Sequence, residues 1–389
     1  MHELQPELTR RKQQGLYRHR RIIQSAQGRH TLIDGQRVLS FCSNDYLGLA
    51  AHPDIKQAGI DALDRYGSGS GSAHLVNGHS QLHHDCELML AEFTGRDRAL
   101  LFSTGYMANL APGSALVGRN DSIFQDKLNH ASLIDAAQLS AARLQRYQHN
   151  DLTQLNRLLE QSRTRKPQAR RLIMADAVFS MDGDQADARG LAAIAQNTQS
   201  WLMLDDAHGF GVLGETGAGL CEQHNLGQQE VPILMATLGK AVGVSGAFIA
   251  GSEALIETLI QSARSYIYTT AFSPFIAAAV MRSIQIIRQQ GWRREKLFEL
   301  IDYFKQQVEA RLECALMTSE TPIQPIIIGD NHRALALSEQ LFAEGLHVTA
   351  IRPPTVPRGT SRLRITLSAA HEKQDIDQLV GTLSRLLAK

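Results

Sequence analysis

Most of the chemistry legible in this chain sits on one lysine and on the aspartate and histidine that precede it. Asp205-Asp206-Ala207-His208 closes one apolar run, and Thr237-Leu238-Gly239-Lys240 closes another. Residues 237–246 around Lys240 are almost wholly small and apolar. Desolvation lowers the pKa of a lysine and makes its amine nucleophilic, which is what imine chemistry with a carbonyl requires. Asp205 follows the apolar residues 201–204, where a carboxylate needs a partner. A protonated ring nitrogen would satisfy it, and Thr237 offers a hydroxyl to a phosphate. Amine, carboxylate and hydroxyl are together the partners that pyridoxal phosphate asks for.

Each residue also has an ordinary reading. A lysine is commonly a surface charge, and an aspartate after a strand is commonly a helix cap. Asp205, Asp206 and His208 have the types of a divalent-ion site, but no second cluster of comparable spacing accompanies them, so no metal is expected. The Gly239-Lys240 pair is not a phosphate-binding P-loop, because that pattern's first glycine and final hydroxyl residue are missing. His208 can donate to a ring hydroxyl, and His130 can stack its flat ring on a planar cofactor. Ser180 can serve the ring or its phosphate. The amides of Gly105 and Tyr106 stand at an expected helix start, where free backbone N–H groups favour an anion. In the tail, Arg352 and Arg364 can each grip a carboxylate with a two-pronged guanidinium, or form ordinary salt bridges.

The elements that must position these groups alternate. Apolar runs at 99–102, 122–125, 171–175, 201–204, 233–237 and 247–250 read as strands, most followed by a loop and a helix. Such alternation predicts an α/β fold with a mostly parallel central sheet, whose ligand lies at the carboxyl ends of the strands. Three segments are expected: 1–50 as a basic helix and a hairpin turning at Asp34-Gly35, 51–285 as a large α/β domain, and 286–389 as a smaller α+β domain. The pattern extends a single helix over 284–312, and Pro353, Pro354 and Pro357 stiffen a loop beyond it. Residues 67–72, Gly-Ser-Gly-Ser-Gly-Ser, read as a flexible loop near a ligand.

With 40 Lys+Arg against 39 Asp+Glu in 389 residues, the chain lacks the basic excess that nucleic-acid binding requires. The basic residues between Arg10 and Arg21 read as a solvated helix face. Four scattered cysteines suggest reduced thiols, no apolar run approaches the ~18 residues of a membrane span, and a cytoplasmic location is expected.

Five stretches, Ser43 to Leu49, Asn129-His130-Ala131-Ser132, Phe179 to Asp184, Asp205 to His208 and Thr237 to Lys240, resemble the α-oxoamine synthases over nearly the whole chain. The resemblance implies the fold-type I, aspartate aminotransferase-like architecture and a decarboxylative condensation of an amino acid with an acyl thioester. Residues 350–357 and 361–371 are most similar to the members that join L-alanine to pimeloyl-CoA or to a pimeloyl-acyl carrier protein. It implies that Lys240, His130, Asp205 and His208 are catalytic. Gly105, Tyr106, Ser180, Thr237, Thr269 and Thr270 would complete the cofactor site, the last two across a homodimer interface. Arg18, Asn44, His130, Arg352, Thr355 and Arg364 would line the substrate pocket, with Arg364 on the amino-acid carboxylate. Two positions depart from the family and bear on pocket shape: Asp176, where relatives often carry glutamate, and Phe210, where a small or hydroxyl residue is usual. Two other readings stay open, a sibling synthase that uses glycine with another acyl-CoA, and a non-catalytic cofactor-binding regulator.

Overall fold

The computed structural model describes residues 4–388. The chain forms two compact units, one from the residues up to 51, 180–184 and those from 292 onward, the other from 52–179 and 185–291. The first unit opens with α1 (Leu4–Gln13) and the hairpin β1 (His30–Ile33) and β2 (Gln36–Ser40). Asp34 and Gly35 both take positive φ, 50° and 81°, as a tight hairpin turn of right-handed strands demands. The helix stops at Gln13, so Arg18, Arg20 and Arg21 lie beyond it, contrary to a single basic helix face. Arg21 instead pairs with Asp34 and Glu339 and lies 3.8 Å over the Phe342 ring.

The second unit carries α2 (Pro53–Tyr66), α3 (Gln81–Thr94), β3 (Arg98–Phe102), α4 (Gly105–Leu116), β4 (Ser122–Asp126), α5 (Ala131–Ser140) and β5 (Arg143–Tyr147). It continues through α6 (Leu152–Arg165), β6 (Arg171–Asp176), α7 (Ala188–Asn197), β7 (Trp201–Asp205), α8 (Leu220–Gln223) and β8 (Ile233–Thr237). It ends with β9 (Ala247–Gly251), α9 (Glu253–Ser262), α10 (Arg264–Ile267) and α11 (Pro274–Gln289). Its seven strands follow the order β3-β9-β8-β7-β6-β4-β5, and β9 alone runs antiparallel to its neighbours. The carboxyl ends of the other six therefore share one edge of the sheet. β5 had no apolar signal because Arg143-Leu144-Gln145-Arg146-Tyr147 is an edge strand, where charged residues block pairing with another chain.

The main core of this unit packs Leu100, Ile123, Met174, Met203 and Ile249 against Ala108 and Ala111 of α4 and Leu133 and Ala136 of α5. A Cβ on Gly113 would stand 2.8 Å from Ala136 O, so glycine lets α4 and α5 approach closely. That approach fixes two helix amino termini, at Gly105 and at Ala131, beside the strand ends.

The single helix expected over 284–312 is two. α11 ends at Gln289, Gln290 leaves helical φ/ψ, and α12 (Trp292–Arg311) begins after Gly291. Glycine has the weakest helix propensity of any residue but proline, and the apolar period of both helices concealed the break. The first unit continues with β10 (Ala315–Leu316), β11 (Ile323–Gly329), α13 (Asn331–Ala343), β12 (Leu346–His347), β13 (Thr349–Ile351), β14 (Ser361–Thr366) and α14 (Lys373–Leu387). Its two sheets have the orders β1-β2-β12 and β10-β11-β14-β13. α14 buries Ile376, Leu379, Val380 and Leu383, the i, i+3, i+4, i+7 stripe of a helix on a core.

Candidate active site

In the second unit, β7 delivers Asp205 to the sheet edge with 4% of its surface exposed. Its Oδ2 accepts from Asn109 Nδ2 at 2.6 Å and its Oδ1 accepts from the Ala207 N–H at 3.0 Å. No cationic side chain pairs with it among the described residues. A buried carboxylate held by neutral donors alone leaves its charge to be met by a ligand. Asn109 also donates to Ser132 Oγ at 2.8 Å, and that oxygen lies 2.7 Å from His130 Nδ1. Asp205, Asn109, Ser132 and His130 thus form one continuous network.

His130 caps α5, and its own N–H donates to Asp176 Oδ2 at 2.7 Å. Burial lowers the pKa of its ring below the ordinary value, with the Lys240 ammonium acting in the same direction and the Asp205 carboxylate against it. The ring is therefore neutral near pH 7. Asp176 stands beside Asp205 in the parallel register of β6 and β7. Burial, and then the Asp205 charge, push its pKa well above the carboxylate range. The shorter side chain at this position is thus spent on the His130 backbone.

Lys240 Nζ lies 2.7 Å from His208 Nε2, so β7 and β8 bring the expected amine and imidazole together. Asp206 is no ligand partner for them: its Oδ2 takes the Leu220 N–H at 2.7 Å, and burial raises its pKa to about 7. Phe210 does not shape a pocket; it is 1% exposed and packs edge-on against Phe93 and Phe248. The aromatic residue there extends the core.

Thr104 caps α4 by accepting the Met107 N–H at 3.2 Å, which leaves the amides of Gly105 and Tyr106 at the helix start without intrahelical partners. A Cβ on Gly105 would stand 3.0 Å from Met235 and 3.8 Å from Thr237 Oγ1. Thr237 Oγ1 donates to Gly246 O at 3.1 Å, and Tyr106 OH donates to Asp135. Thr269 and Thr270 follow α10. There Thr270 bridges Ala73, and Ser70 and Ser273 tie the 67–72 loop to this segment through Phe272 O and Ser68 O. Those bonds hold in place a stretch whose composition suggested flexibility.

In the first unit, β14 presents Arg364, 7% exposed. Its Nε donates to Ser180 O at 2.6 Å, and both terminal nitrogens donate to Asn44 Oδ1 at 3.2 and 3.3 Å. Three expected residues, Arg364, Asn44 and Ser180, therefore meet. A second group joins Arg18, whose Nη2 donates to Thr355 Oγ1 at 3.1 Å, to the loop of Arg352. Arg352 spends its terminal nitrogens on the carbonyls of Gly15 and Tyr17. Burial, with help from the Arg18 charge, lowers its pKa.

The residues of the second unit match pyridoxal phosphate group by group: an amine at Lys240, a buried carboxylate at Asp205 held by an amide and a backbone N–H, a flat neutral ring at His130 and open amides at Gly105 and Tyr106. Asn109 and Ser132 are the members that sequence reasoning passed over. Asn109 did leave a signal, being a buried amide one turn inside an otherwise apolar helix, four residues from Gly105.

Residues 36–383 match the family model described as Aminotransferase class I and II. The chain is 53% identical to the 8-amino-7-oxononanoate synthase of Pseudomonas paraeruginosa over 381 residues, 98% of this chain and 94% of that one. It is 54% identical to the enzyme of the same name from Thioalkalivibrio sulfidiphilus over 386 residues, 99% and 97% of the two chains. Among solved structures, a serine palmitoyltransferase from S. paucimobilis, carrying a pyridoxal phosphate adduct of myriocin, superposes with a TM-score of 0.92 at 28% identity, over 99% of this chain and 96% of that one. An 8-amino-7-oxononanoate synthase from Francisella tularensis superposes with a TM-score of 0.79 at 32% identity, over 90% and 98%. The fold is the expected fold-type I α/β architecture.

Proposed function

This chain belongs to the class I and II aminotransferase family, and from that premise we infer that it is a pyridoxal-phosphate enzyme with 8-amino-7-oxononanoate synthase activity. It condenses L-alanine with a pimeloyl thioester and releases 8-amino-7-oxononanoate, CO2 and free thiol, in biotin biosynthesis. The carrying observation is 53–54% identity across 98–99% of the chain to relatives of that name. Backbone likeness does not separate the siblings, since a serine palmitoyltransferase superposes more closely at 28% identity. Substrate choice resides in side chains, which is where identity counts.

The cofactor, bound by these residues, supplies an aldehyde and an electron-withdrawing ring that acidifies the substrate α-carbon. Lys240 Nζ, 2.7 Å from His208 Nε2, would be the amine that holds the cofactor and the base for the substrate α-proton. Asp205 would hold the protonated ring nitrogen, and Asn109 Nδ2 orients Asp205. His130, a neutral imidazole, would pack on the cofactor ring, and the amides of Gly105 and Tyr106, with Thr237, would hold its phosphate. Arg364, oriented by Asn44 and Ser180, receives the alanine carboxylate, and Arg18, Thr355 and Arg352 serve the acyl end. The acyl carrier is CoA or an acyl carrier protein, and basic Arg18 and Arg20 suit the phosphates of either.

The working form is a homodimer in which Thr269 and Thr270 reach the phosphate of the partner subunit. Exposed Leu75, Val76 and Tyr268, flanking the Ala73 to Thr270 bridge, support this reading as an apolar surface awaiting a cover. No described helix is long and apolar enough to cross a membrane, in keeping with a cytoplasmic enzyme. The test is a thiol-release assay crossing alanine, glycine and serine with acetyl, succinyl, pimeloyl and palmitoyl thioesters. Alanine with pimeloyl should give the highest kcat/KM. Faster turnover of glycine with a short thioester, or of serine with palmitoyl, overturns the assignment.

A further inference from the structure

His79, His84 and Glu87 lie apart from the residues assigned above, and their ligating atoms are all within 4.8 Å of one another. We propose that they form a binding site for a zinc-class divalent cation, with two imidazole nitrogens, one carboxylate oxygen and an open fourth position. His84 and Glu87 are three residues apart on α3 and so share a face, while His79 stands just ahead of that helix. Glu87 is oriented in advance: its side chain is mostly buried, and its Oε1 accepts the Leu101 N–H at 3.0 Å. Its Oε2 is left 3.9 Å from His79 Nε2.

His79 has the support that a metal-ligating imidazole usually has. Its Nδ1 lies 2.9 Å from His74 Nδ1, and the His74 ring stacks on Tyr266 with centroids 5.1 Å apart. With His79 donating in that contact, the lone pair of its Nε2 faces Glu87, and His74 orients the ring from behind. The His84 side chain is exposed and makes no hydrogen bond among the described residues, and its ring lies edge-on to that of His79 with centroids 6.3 Å apart, so it can turn inward. Ligand bonds of about 2.0–2.2 Å in a tetrahedral site need the three atoms to close to roughly 3.3 Å. Rotation of the exposed His84 imidazole, with a small tilt of the His79 ring about its contact with His74, supplies that movement.

The overlapping trio of His74, His79 and His83 lacks this capacity. His83 Nδ1 accepts the Ser80 N–H at 3.0 Å and its Nε2 contacts Phe272 O at 2.8 Å, so neither nitrogen is available. Two imidazoles and a carboxylate are the donor set of zinc sites that keep a water ligand. Occupancy ties the residue 74–79 turn to α3.

The test titrates chelator-treated holoenzyme with Zn2+ by calorimetry and with Co2+ by visible absorption. One equivalent per chain should bind, with the d–d bands of four-coordinate cobalt and a higher melting temperature in zinc. His84→Ala and His79→Ala should each weaken binding at least about tenfold, and His74→Ala by roughly 10- to 100-fold, as for an orienting partner. His332→Ala, a substitution of an exposed histidine on α13, should bind as the wild type. Because the His84 side chain is exposed and makes no hydrogen bond among the described residues, its variant keeps the fold, checked by circular dichroism and the cofactor absorbance. Binding of Zn2+ by His84→Ala at wild-type strength overturns the proposal. So does the absence of a one-equivalent site, or a cobalt spectrum dominated by thiolate charge transfer.

Discussion

Replacing Asn109 by alanine probes the hydrogen-bond network behind the proposed ring contact without touching the amine. Asn109 is 1% exposed, and its Nδ2 serves Asp205 at 2.6 Å and Ser132 at 2.8 Å. A hydrogen bond to a charged acceptor contributes about 1.5–3 kcal/mol and a neutral one about 0.5–1.5 kcal/mol, so losing both removes roughly 2–4.5 kcal/mol. In a unit of this size each kcal/mol moves Tm by about 2–4 °C, which places the cofactor-free variant roughly 4–18 °C below wild type. Asp205 keeps the Ala207 N–H at 3.0 Å, so its charge stays solvated on one side while its other oxygen loses its fixed direction. Cofactor affinity should fall by about tenfold, equivalent to about 1.4 kcal/mol. The loss should appear in kcat, with KM for the acyl thioester nearly unchanged, because no acyl contact is altered. Asn109→Asp is the sharper companion: it sets a second carboxylate against Asp205, and two such groups cannot both ionise at this distance. Its activity should therefore fall as pH rises, whereas that of Asn109→Ala should follow the wild-type pH profile. Melting curves with and without pyridoxal phosphate, with thiol release across pH, check all of this. An alanine variant that melts within about 1 °C of wild type and binds the cofactor equally well refutes the reasoning.

Three further outcomes are expected. Lys240→Ala should lose the absorbance of covalently held cofactor together with all thiol release, and wild-type turnover in that variant would remove the lysine from the mechanism. Arg364→Lys replaces a fork bound to Ser180 and Asn44 by a point charge, and kcat/KM for alanine should fall about 100-fold, or about 2.7 kcal/mol; an unchanged value would place the carboxylate elsewhere. His371 is buried against Phe41, accepts the Ser368 N–H and contacts Ser40 O, and burial holds its pKa down at about 4 against an ordinary 6.5. The unfolded chain therefore binds the proton first, so the stability that this residue contributes is complete above pH 6.5 and is lost as pH falls toward 4, by about 3 kcal/mol in all. Urea midpoints between pH 7 and 4.5 should show that slope, and His371→Gln should flatten it.

The residues proposed for the chemistry were readable because their signals are local. Lys240 follows an apolar strand in a small-residue stretch, Asp205 and His208 follow another, and Asp34-Gly35 needs two left-handed residues and so marks its own turn. Element type rests on period and on residues a few positions apart, which is information a linear chain carries openly. Other features depended on which distant segments meet. Asn109 and Asp205 are 96 residues apart and Arg364 and Asn44 are 320 apart, and no spacing rule links such pairs. Phe210 looked like a pocket substitution until Phe93 and Phe248 closed around it, and Asp176 acquired its raised pKa only from burial beside Asp205. The sequence alone determined which groups are present and which strand ends display them. Their partners, their burial and hence their protonation were decided by strand order and packing, because desolvation and hydrogen bonding depend on neighbours in space rather than along the chain.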